Sequence, residues 1–215
     1  MKIIKFTVGS LETNCYILQT DQCFAVIDPG ALSPPLTQYL KNTSLICSYI
    51  ILTHNHYDHI GAVNPLKQMF SSAHIVMHHQ DYIHLGNPLY TGEILFGQKV
   101  KKFHTDIVVN SETELLMMAD KSNQQVKVEL IHTPGHTAGG ISVRVGPNLF
   151  TGDTLFKQGI GRCDLPSGDI NKLCHSIKKY YSWGVNYQVF PGHGPNTSLD
   201  QETESLNYYC PDFFD

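Results

Sequence analysis

The sequence lacks several features that would place the protein in a membrane or on nucleic acid. It contains no apolar run approaching the roughly 20 residues that cross a bilayer, and no low-complexity tract. Its 15 lysines and arginines are outnumbered by 19 acidic residues, whereas a sequence-independent nucleic-acid binder normally carries a basic surface. The N-terminus, MKIIKFTVGS, alternates like a strand and lacks a small-residue cleavage site. We therefore expect a cytoplasmic protein with neither a membrane nor a nucleic-acid partner.

The cysteines also lack a recognisable pattern. No two of them form a C-x-x-C pair, and their spacing is typical neither of a zinc knuckle nor of a disulfide framework. A chain of 215 residues can bury a sizeable core without covalent cross-links. We expect free, mostly buried thiols in a reducing compartment at Cys15, Cys23, Cys47, Cys163, Cys174 and Cys210.

What is present is an ordinary globular composition, with 41% hydrophobic and 16% charged residues. Turn residues separate three opening strand-like runs, which predicts an antiparallel meander of KIIKFTV, NCYILQT and FAVIDPG. Helical patterns occur in SPPLTQYLKNT, HIGAVNPLKQMF, DINKLCHSIKKYYSW and DQETESLNYYC. Further strands are predicted in ICSYIILTH, HIVMHH, QVKVELIHT, GISVRVG, NLFTGDTLF and NYQVF. Two sets of strands, each followed by helices, predict one domain over residues 1–215, with two sheets packed face to face and helices outside.

The segment LTHNHYDHIG concentrates four metal-ligating side chains after an apolar strand. His54 and His56 lie two residues apart, so in an extended chain their imidazoles project to the same side. Asp58 and His59 follow where the chain turns into a helix, and they can face the same pocket from another direction. Imidazole and carboxylate together suit zinc, iron or manganese, whereas calcium prefers oxygen alone. We interpret the segment as a metal site rather than a histidine-rich loop.

Four ligands from one turn cannot surround two metals, so partners must come from other segments. Three candidates each end an apolar strand beside glycine: His132 in VELIHTPGHT, Asp153 in LFTGDTLF and His193 in VFPGHGPN. Taken singly, each is more often an ordinary turn residue. Taken together they share one arrangement, a polar side chain at the end of a strand next to a flexible turn. This arrangement is typical of active sites in sheet-based folds.

In this order, His-x-His-x-Asp-His, HTPGHT, TGD and PGHG resemble the motifs of the metallo-β-lactamase superfamily. The run TGDTLFKQGIGRCDLP is similar to the branch that contains hydroxyacylglutathione hydrolases, the glyoxalase II enzymes, and persulfide dioxygenases. The resemblance implies an α/β (α+β) fold, a four-layer αββα sandwich of two mixed sheets. It also implies two divalent metals, with zinc as the first expectation and iron or manganese as alternatives. By the family pattern, His54, His56 and His132 hold the first metal, Asp58, His59 and His193 hold the second, and Asp153 bridges them.

The chain departs from the glyoxalase II pattern in two places. Full-length members carry a C-terminal helical domain that supplies basic residues for glutathione, so we expect the short, single-domain bacterial type here. A lysine of that pattern touches glutathione at the position of Arg162, which predicts that Arg162 binds a substrate carboxylate; a surface arginine is the alternative. The tyrosine expected two residues later is Asp164. In one lactamase subgroup His59 would be arginine and Asp153 cysteine, which disfavours a lactamase of that kind.

The expected reaction is hydrolysis of a small acyl thioester, such as a hydroxyacylglutathione, by a hydroxide shared between the two metals. A bound divalent metal lowers the pKa of water from about 15.7 to about 7. Asp58 would steer the proton of that hydroxide as well as bind metal, and His136 is a weaker candidate for orienting the imidazoles. The alternatives are a persulfide dioxygenase with a single iron, or another hydrolase of the same fold, a lactonase or nuclease. The oligomeric state is left open.

Overall fold

The computed structural model of the chain describes residues 1–117 and 125–211. One sheet contains β1 (Lys2–Val8), β2 (Thr13–Gln19), β3 (Cys23–Ile27), β4 (Ile46–Ile51), β5 (His74–His78) and β6 (Ile107–Val109). The other contains β7 (Thr113–Met117), β8 (Val126–His132), β9 (Ile141–Val145), β10 (Asn148–Gly152), β13 (Gln188–Pro191) and β14 (Thr197–Ser198). A small hairpin is formed by β11 (Leu155–Phe156) and β12 (Gly159–Ile160). The helices are α1 (Pro34–Asn42), α2 (Tyr57–Ile60), α3 (Val63–Met69), α4 (His79–Tyr82), α5 (Glu93–Phe96), α6 (Ile170–Ser182) and α7 (Leu199–Tyr209).

Both sheets are mixed. In the first, the order β1-β2-β3-β4-β5-β6 begins with the predicted antiparallel meander and continues with parallel strands from β3 onward. In the second, the order is β14-β13-β10-β9-β8-β7, and the pairing is antiparallel except between β10 and β13. Parallel neighbours bring their carboxyl ends to one sheet edge, where the connecting loops can meet.

Three apolar cores stack through the molecule and produce four layers. Side chains from both sheets form the central core, including Tyr16, Leu18, Val76, Val128, Leu130 and Phe150. The outer face of the first sheet packs on α1, α2 and α3 through Leu36, Leu40, Ile60, Val63 and Leu66. The outer face of the second sheet packs on α6 and α7 through Leu173, Ile177, Tyr180, Leu199 and Leu206. The expected αββα sandwich with helices outside is therefore confirmed.

Most predicted elements form, with local differences. The single helix predicted for HIGAVNPLKQMF is two short helices, α2 and α3, and Pro65 lies in the first turn of α3, where a missing N–H costs little. The helix predicted for DINKLCHSIKKYYSW is α6, whose N-cap Asp169 accepts hydrogen bonds from the backbone N–H groups of Asn171 and Lys172. The short strands β6, β7, β12 and β14 and the short helices α4 and α5 were not predicted. Among the described residues, none of the helices is both long and apolar enough to span a membrane.

One expectation about the cysteines is wrong. Cys174 and Cys210 form a disulfide with their Cα atoms 5.6 Å apart, while Cys15, Cys23, Cys47 and Cys163 are not disulfide-bonded. Cys174 lies on α6 and Cys210 caps the end of α7, so the packing of these two helices brings the thiols together. A separation of 36 residues gives no local signal for this pair, because helix packing rather than spacing creates it.

Candidate metal centre

The predicted metal-ligating segments meet at one edge of the sandwich. The loop after β4 and the short helix α2 carry His54, His56, Asp58 and His59, while the segments after β10 and β13 carry Asp153 and His193. Close backbone approach makes this convergence possible: a Cβ on Gly192 would lie 2.2 Å from Asp153 Oδ1, and one on Gly152 would lie 2.4 Å from Thr53 Oγ1. Only glycine fits at these two positions, which explains why it precedes each ligand.

Three imidazoles form the first group. His54 Nε2 lies 3.1 Å from His56 Nδ1, which lies 2.9 Å from His136 Nε2. All three side chains are buried. Burial, reinforced by the neighbouring imidazoles, lowers the pKa of His54 and His56 well below the usual value. Burial also lowers the pKa of His136, although Asp153 acts in the opposite direction. These rings are therefore neutral, the form in which imidazole binds a cation.

The second group combines two imidazoles with carboxylates. His59 Nε2 lies 3.4 Å from Asp58 Oδ2 and 3.3 Å from His193 Nε2, and His193 Nε2 lies 3.2 Å from Asp58 Oδ2. Burial alone would raise the pKa of Asp58, but His59, His193 and the Thr13 hydroxyl outweigh it and lower the pKa. Burial alone would lower the pKa of His59, but nearby carboxylates raise it to about 10.

Asp153 lies between the two groups. Its Oδ1 is 3.4 Å from His59 Nε2, and its Oδ2 is 3.6 Å from both His136 Nε2 and His193 Nε2. Among the described residues of the cluster, Asp153 is the one whose carboxylate oxygens approach imidazoles of both groups. The position matches the one that the resemblance implies for a bridging ligand.

The outer nitrogen of most of these imidazoles is hydrogen-bonded. Nδ1 of His136 donates to the Arg162 carbonyl at 2.7 Å, and Nδ1 of His193 donates to the Leu11 carbonyl at 3.0 Å. Nδ1 of His54 lies 3.0 Å from the Thr53 hydroxyl. Each contact fixes the ring and its tautomer so that Nε2 presents a lone pair to the centre. His56 is turned the other way, with Nδ1 inward.

Asp28 orients two candidate ligands at once, although the sequence analysis did not single it out. Its Oδ2 accepts from His59 Nδ1 at 2.9 Å and from the Thr53 hydroxyl at 2.6 Å, while Oδ1 accepts from the Thr53 N–H at 2.8 Å. Through Thr53 it also reaches His54. The available signal was the run VIDPG, in which an acid follows an apolar strand beside glycine, as at the other ligand positions.

The structure corrects the expectation for His132. Its ring stacks on His78 at a centroid distance of 4.1 Å and its Nε2 donates to the Ala138 carbonyl at 2.9 Å, so it does not join the cluster. The reason is strand alternation. His132 ends β8 on the face of Val128 and Leu130, which points between the sheets. His136, four residues later in the loop, takes the place expected for His132.

A second buried carboxylate joins the loops that carry the first group. Asp81 accepts hydrogen bonds from the Asn55 N–H, the Thr137 hydroxyl and the Gly139 N–H at 3.0, 2.8 and 2.7 Å. Asn55 lies between His54 and His56, and Thr137 follows His136. Burial raises the pKa of Asp81 to about 6, although the three donors act in the opposite direction. Asp81 therefore fixes the distance between the two loops.

A pocket of about 200 Å³ opens onto the centre. Arg162 lines it, as expected, but its guanidinium is paired with Asp164 through two hydrogen bonds of 2.7 Å. The remaining walls are formed by Leu11, Tyr57, Thr91, Gly92, Phe96 and Leu165 around His56, Asp58, His136, Asp153 and His193.

The arrangement fits metal ions. Five imidazoles and two carboxylates present ligand atoms in three overlapping groups, each with its atoms within 4.8 Å of one another. The buried Asp153 Oδ1 has no hydrogen-bond partner among the described residues, and imidazole nitrogens face one another at about hydrogen-bond distance. A cation between these atoms would satisfy the orphaned oxygen and the lone pairs of the neutral rings, and it would take the place of the proton that His59 holds.

Comparison with known proteins identifies the family of the chain. The model of the metallo-beta-lactamase superfamily matches residues 8–206. Hydroxyacylglutathione hydrolase GloC of Haemophilus influenzae is 34% identical over 210 residues, covering 95% of this chain and 96% of that protein. The crystal structure of BLEG-1, a B3 metallo-beta-lactamase, has a TM-score of 0.86 at 31% identity, covering 97% of this chain and all of that one.

A further similar structure was solved with iron bound. TTHA1623 in a di-iron-bound form has a TM-score of 0.80 at 30% identity, covering 94% of this chain and 98% of that one. The family match spans nearly all of the described chain, and the relatives align over almost their whole length. The protein belongs to the metallo-β-lactamase superfamily.

Proposed function

We propose that the protein is a two-metal hydrolase of small acyl thioesters. The observation that carries the proposal is the cluster of five imidazoles and two carboxylates, in which Asp153 lies between a neutral imidazole group and an acidic one. His54, His56 and His136 would hold one metal, and Asp58, His59 and His193 the other, with Asp153 shared. Zinc, iron and manganese all suit these ligands. The di-iron form of TTHA1623 supports iron.

Two divalent metals at this place would supply a water of pKa near 7 and a Lewis acid for a carbonyl oxygen. The chain's own residues do the rest. Asp58 Oδ2, held by the Thr13 hydroxyl at 2.8 Å, is placed to accept and steer the proton of the attacking water. Asp28, Thr53 and the Arg162 carbonyl keep the imidazoles in one tautomer and one orientation. Leu11, Phe96 and Leu165 give the pocket an apolar part beside these polar groups.

A thioester suits this machinery because its leaving group needs little help. A thiol has a pKa of about 8.5, so the thiolate departs without a dedicated general acid. Of the residues lining the pocket, Asp58 and Asp153 are the carboxylates, and both already belong to the cluster. The relative GloC, named for hydroxyacylglutathione hydrolysis, supports the same reaction class.

A second candidate is opening of a β-lactam ring, favoured by the likeness to BLEG-1 across the whole of that chain. An amide nitrogen is a far poorer leaving group than a thiolate. This reaction therefore needs a proton donor to nitrogen as well as the attacking water.

One experiment separates these functions. Purified protein, loaded separately with zinc, iron or manganese, is given S-lactoylglutathione, a neutral acyl thioester, a cephalosporin, or glutathione persulfide with oxygen uptake recorded. Near two metals per chain, with turnover of the thioesters in excess of the other substrates, supports the proposal. Oxygen uptake without thioester cleavage would instead identify a persulfide dioxygenase. Preferential lactam cleavage would identify the second candidate.

A further inference from the structure

A run of large apolar side chains is exposed next to the pocket. Ile94 and Leu95 are 62% and 57% exposed, Leu89 is 54% exposed and Phe96 is 43% exposed. The backbone N–H of Ile94 donates to the Pro88 carbonyl at 3.3 Å, so Leu89 and the helix α5 lie side by side. We call these four residues, Leu89, Ile94, Leu95 and Phe96, the α5 flank. Exposed apolar surface grouped in this way marks a site of interaction.

The α5 flank is continuous with the candidate metal centre. Phe96 lines the pocket together with His56 and Asp58, and its ring contacts that of Tyr57 at 5.3 Å. The Tyr57 N–H donates to the Thr91 carbonyl at 2.9 Å, which ties the segment to the loop that carries the ligands. A substrate held at the centre therefore contacts the flank at Phe96, beside which the other three side chains are exposed.

The flank and the opposite wall present almost no net charge. Between residues 83 and 97 the sequence has no lysine or arginine, and its one acid, Glu93, is only 9% exposed and accepts from the Thr91 hydroxyl. Across the pocket, Leu11 and Leu165 continue the apolar surface, and the guanidinium of Arg162 is neutralised by Asp164. Lys99 lines a neighbouring cavity rather than this one.

We propose that the α5 flank binds the acyl group of the substrate, and that this acyl group is apolar and uncharged. The inference rests on the proposed thioester hydrolysis and names its substrate class. A thioester carbonyl at the centre directs its acyl group one way and its thiol carrier the other. Biological thiol carriers are rich in amides and charges, so an apolar wall suits the acyl group. The Arg162–Asp164 pair, which offers donors and acceptors together, suits the carrier.

The test is a chain-length series on one neutral carrier. Acetyl, butyryl and hexanoyl thioesters of N-acetylcysteamine, with the lactoyl thioester as a polar comparison, are hydrolysed by the metal-loaded enzyme. We expect kcat/KM to rise by about two- to fourfold per methylene until the flank is covered, because full burial of one methylene corresponds to roughly a fourfold gain. The lactoyl compound should be turned over less well than butyryl.

A matched pair of variants locates the effect. Phe96→Ser removes the apolar side chain of the flank that lines the pocket, and Leu116→Ser removes a comparably exposed one from β7, since their exposures are 43% and 50%. We expect Phe96→Ser to reduce the ratio of hexanoyl to acetyl kcat/KM by about two- to fourfold. Leu116→Ser should leave that ratio unchanged.

The outcomes separate two failures. A flat series with measurable turnover of acetyl and lactoyl thioesters overturns the acyl proposal alone. A Phe96→Ser variant that changes self-association in sedimentation but not the ratio shows that the flank joins copies of the chain, and this result also overturns the acyl proposal. Absence of turnover with every thioester removes the proposed function and the acyl assignment together.

Discussion

His136 Nε2 lies 2.9 Å from His56 Nδ1, whereas His132, only four residues earlier, stacks on His78 between the sheets. Both histidines belong to the same motif, HTPGHT, so the sequence offers two candidates for one place. The Nδ1 of His136 donates to the Arg162 carbonyl and turns Nε2 toward the centre, while the Nε2 of His132 is occupied by the Ala138 carbonyl. We therefore propose His136, rather than His132, as the metal ligand.

Removing the His136 imidazole should empty the first site. We expect His136→Ala to lose roughly one metal per chain and to lower kcat/KM by more than about 100-fold, since even partners of metal ligands cost 10- to 100-fold when removed. Elemental analysis and thioester turnover measure the two effects.

The control is His132→Ala. This change deletes a stacking contact and one hydrogen bond, so it should lower the free energy of unfolding by about 1–2 kcal/mol while metal content stays at the wild-type value. If metal were lost from His132→Ala and retained by His136→Ala, the assignment of the ligand would be reversed.

Asp28 should affect metal affinity although it is not expected to touch the metal. In Asp28→Asn an NH₂ group replaces one carboxylate oxygen and must face either the Thr53 N–H or the Thr53 hydroxyl and His59 Nδ1. All of these groups donate to Asp28, so a second donor there disturbs the orientation of His59 and His54. We expect metal affinity to fall by about 10- to 100-fold, measured by competition with a chelator. Asp21→Asn, at an exposed acid, supplies the comparison. Equal affinities of the two variants would count against a positioning role.

The raised pKa of Asp81 predicts that the free energy of unfolding depends on pH in an unusual way. Its pKa is about 6 in the folded chain against 3.8 ordinarily, so the folded state holds the proton more tightly than the unfolded state. The stabilising effect of that proton is complete at low pH and is lost as the pH rises through about 6. From pH 5 to pH 8 we expect wild type to lose about 1–2 kcal/mol relative to Asp81→Asn, which cannot titrate.

Urea unfolding of both proteins after chelator treatment measures this difference, because metal uptake then contributes nothing. Asp81→Asn is also expected to be less stable at every pH, since its amide nitrogen faces a donor from Asn55, Thr137 or Gly139. Parallel curves for the two proteins would show that Asp81 is ionised throughout.

Much of the fold was predictable because local patterns and burial agreed. Runs of alternating apolar residues predicted the opening meander, and apolar residues at helical spacing predicted α6. In both cases the order of consecutive residues shows which face is buried. Four of the expected ligands share one short segment, so their proximity followed from spacing. The strands β6 and β7 were missed because three to five residues carry too little periodicity.

Tertiary contacts decided what the sequence left open. The choice between His132 and His136 depends on which face of β8 points between the sheets. The apolar residues Val128 and Leu130 share a face with His132, and this alternation predicts that His132 points between the sheets as well. The role of Asp28 depends on a contact 31 residues away, with His59, and that of Asp81 on one 58 residues away, with Gly139. No pattern within a single segment encodes such distances.

The disulfide gives a stability prediction that does not involve the metal centre. Closing a loop of 36 residues restricts the unfolded chain by about 4 kcal/mol in the chain-entropy treatment. We expect the double variant Cys174→Ser, Cys210→Ser to lose about 2–4 kcal/mol of unfolding free energy with its metal content unchanged. A reductant should destabilise wild type to a similar extent and leave the double variant unaffected. A double variant as stable as wild type would contradict the cross-link.

The pairing of Arg162 with Asp164 predicts which thiol carriers the site accepts. The side-chain hydrogen bond from Arg162 lowers the pKa of Asp164 to about 2, so the carboxylate is ionised and the guanidinium has no free charge to offer a substrate carboxylate. Both side chains are largely exposed, so separating them costs little stability.

In Asp164→Asn the arginine charge becomes available at the wall of the pocket. We expect kcat/KM for S-lactoylglutathione, whose carrier has two carboxylates, to rise by about two- to fivefold at low salt, and the gain to shrink as salt is added. The lactoyl thioester of N-acetylcysteamine, which has no carboxylate, should respond neither to the substitution nor to salt, and Asp21→Asn should change neither substrate. An equal gain on both carriers would mean that Asp164 hinders access in general, and its charge would then have no part in selecting the carrier.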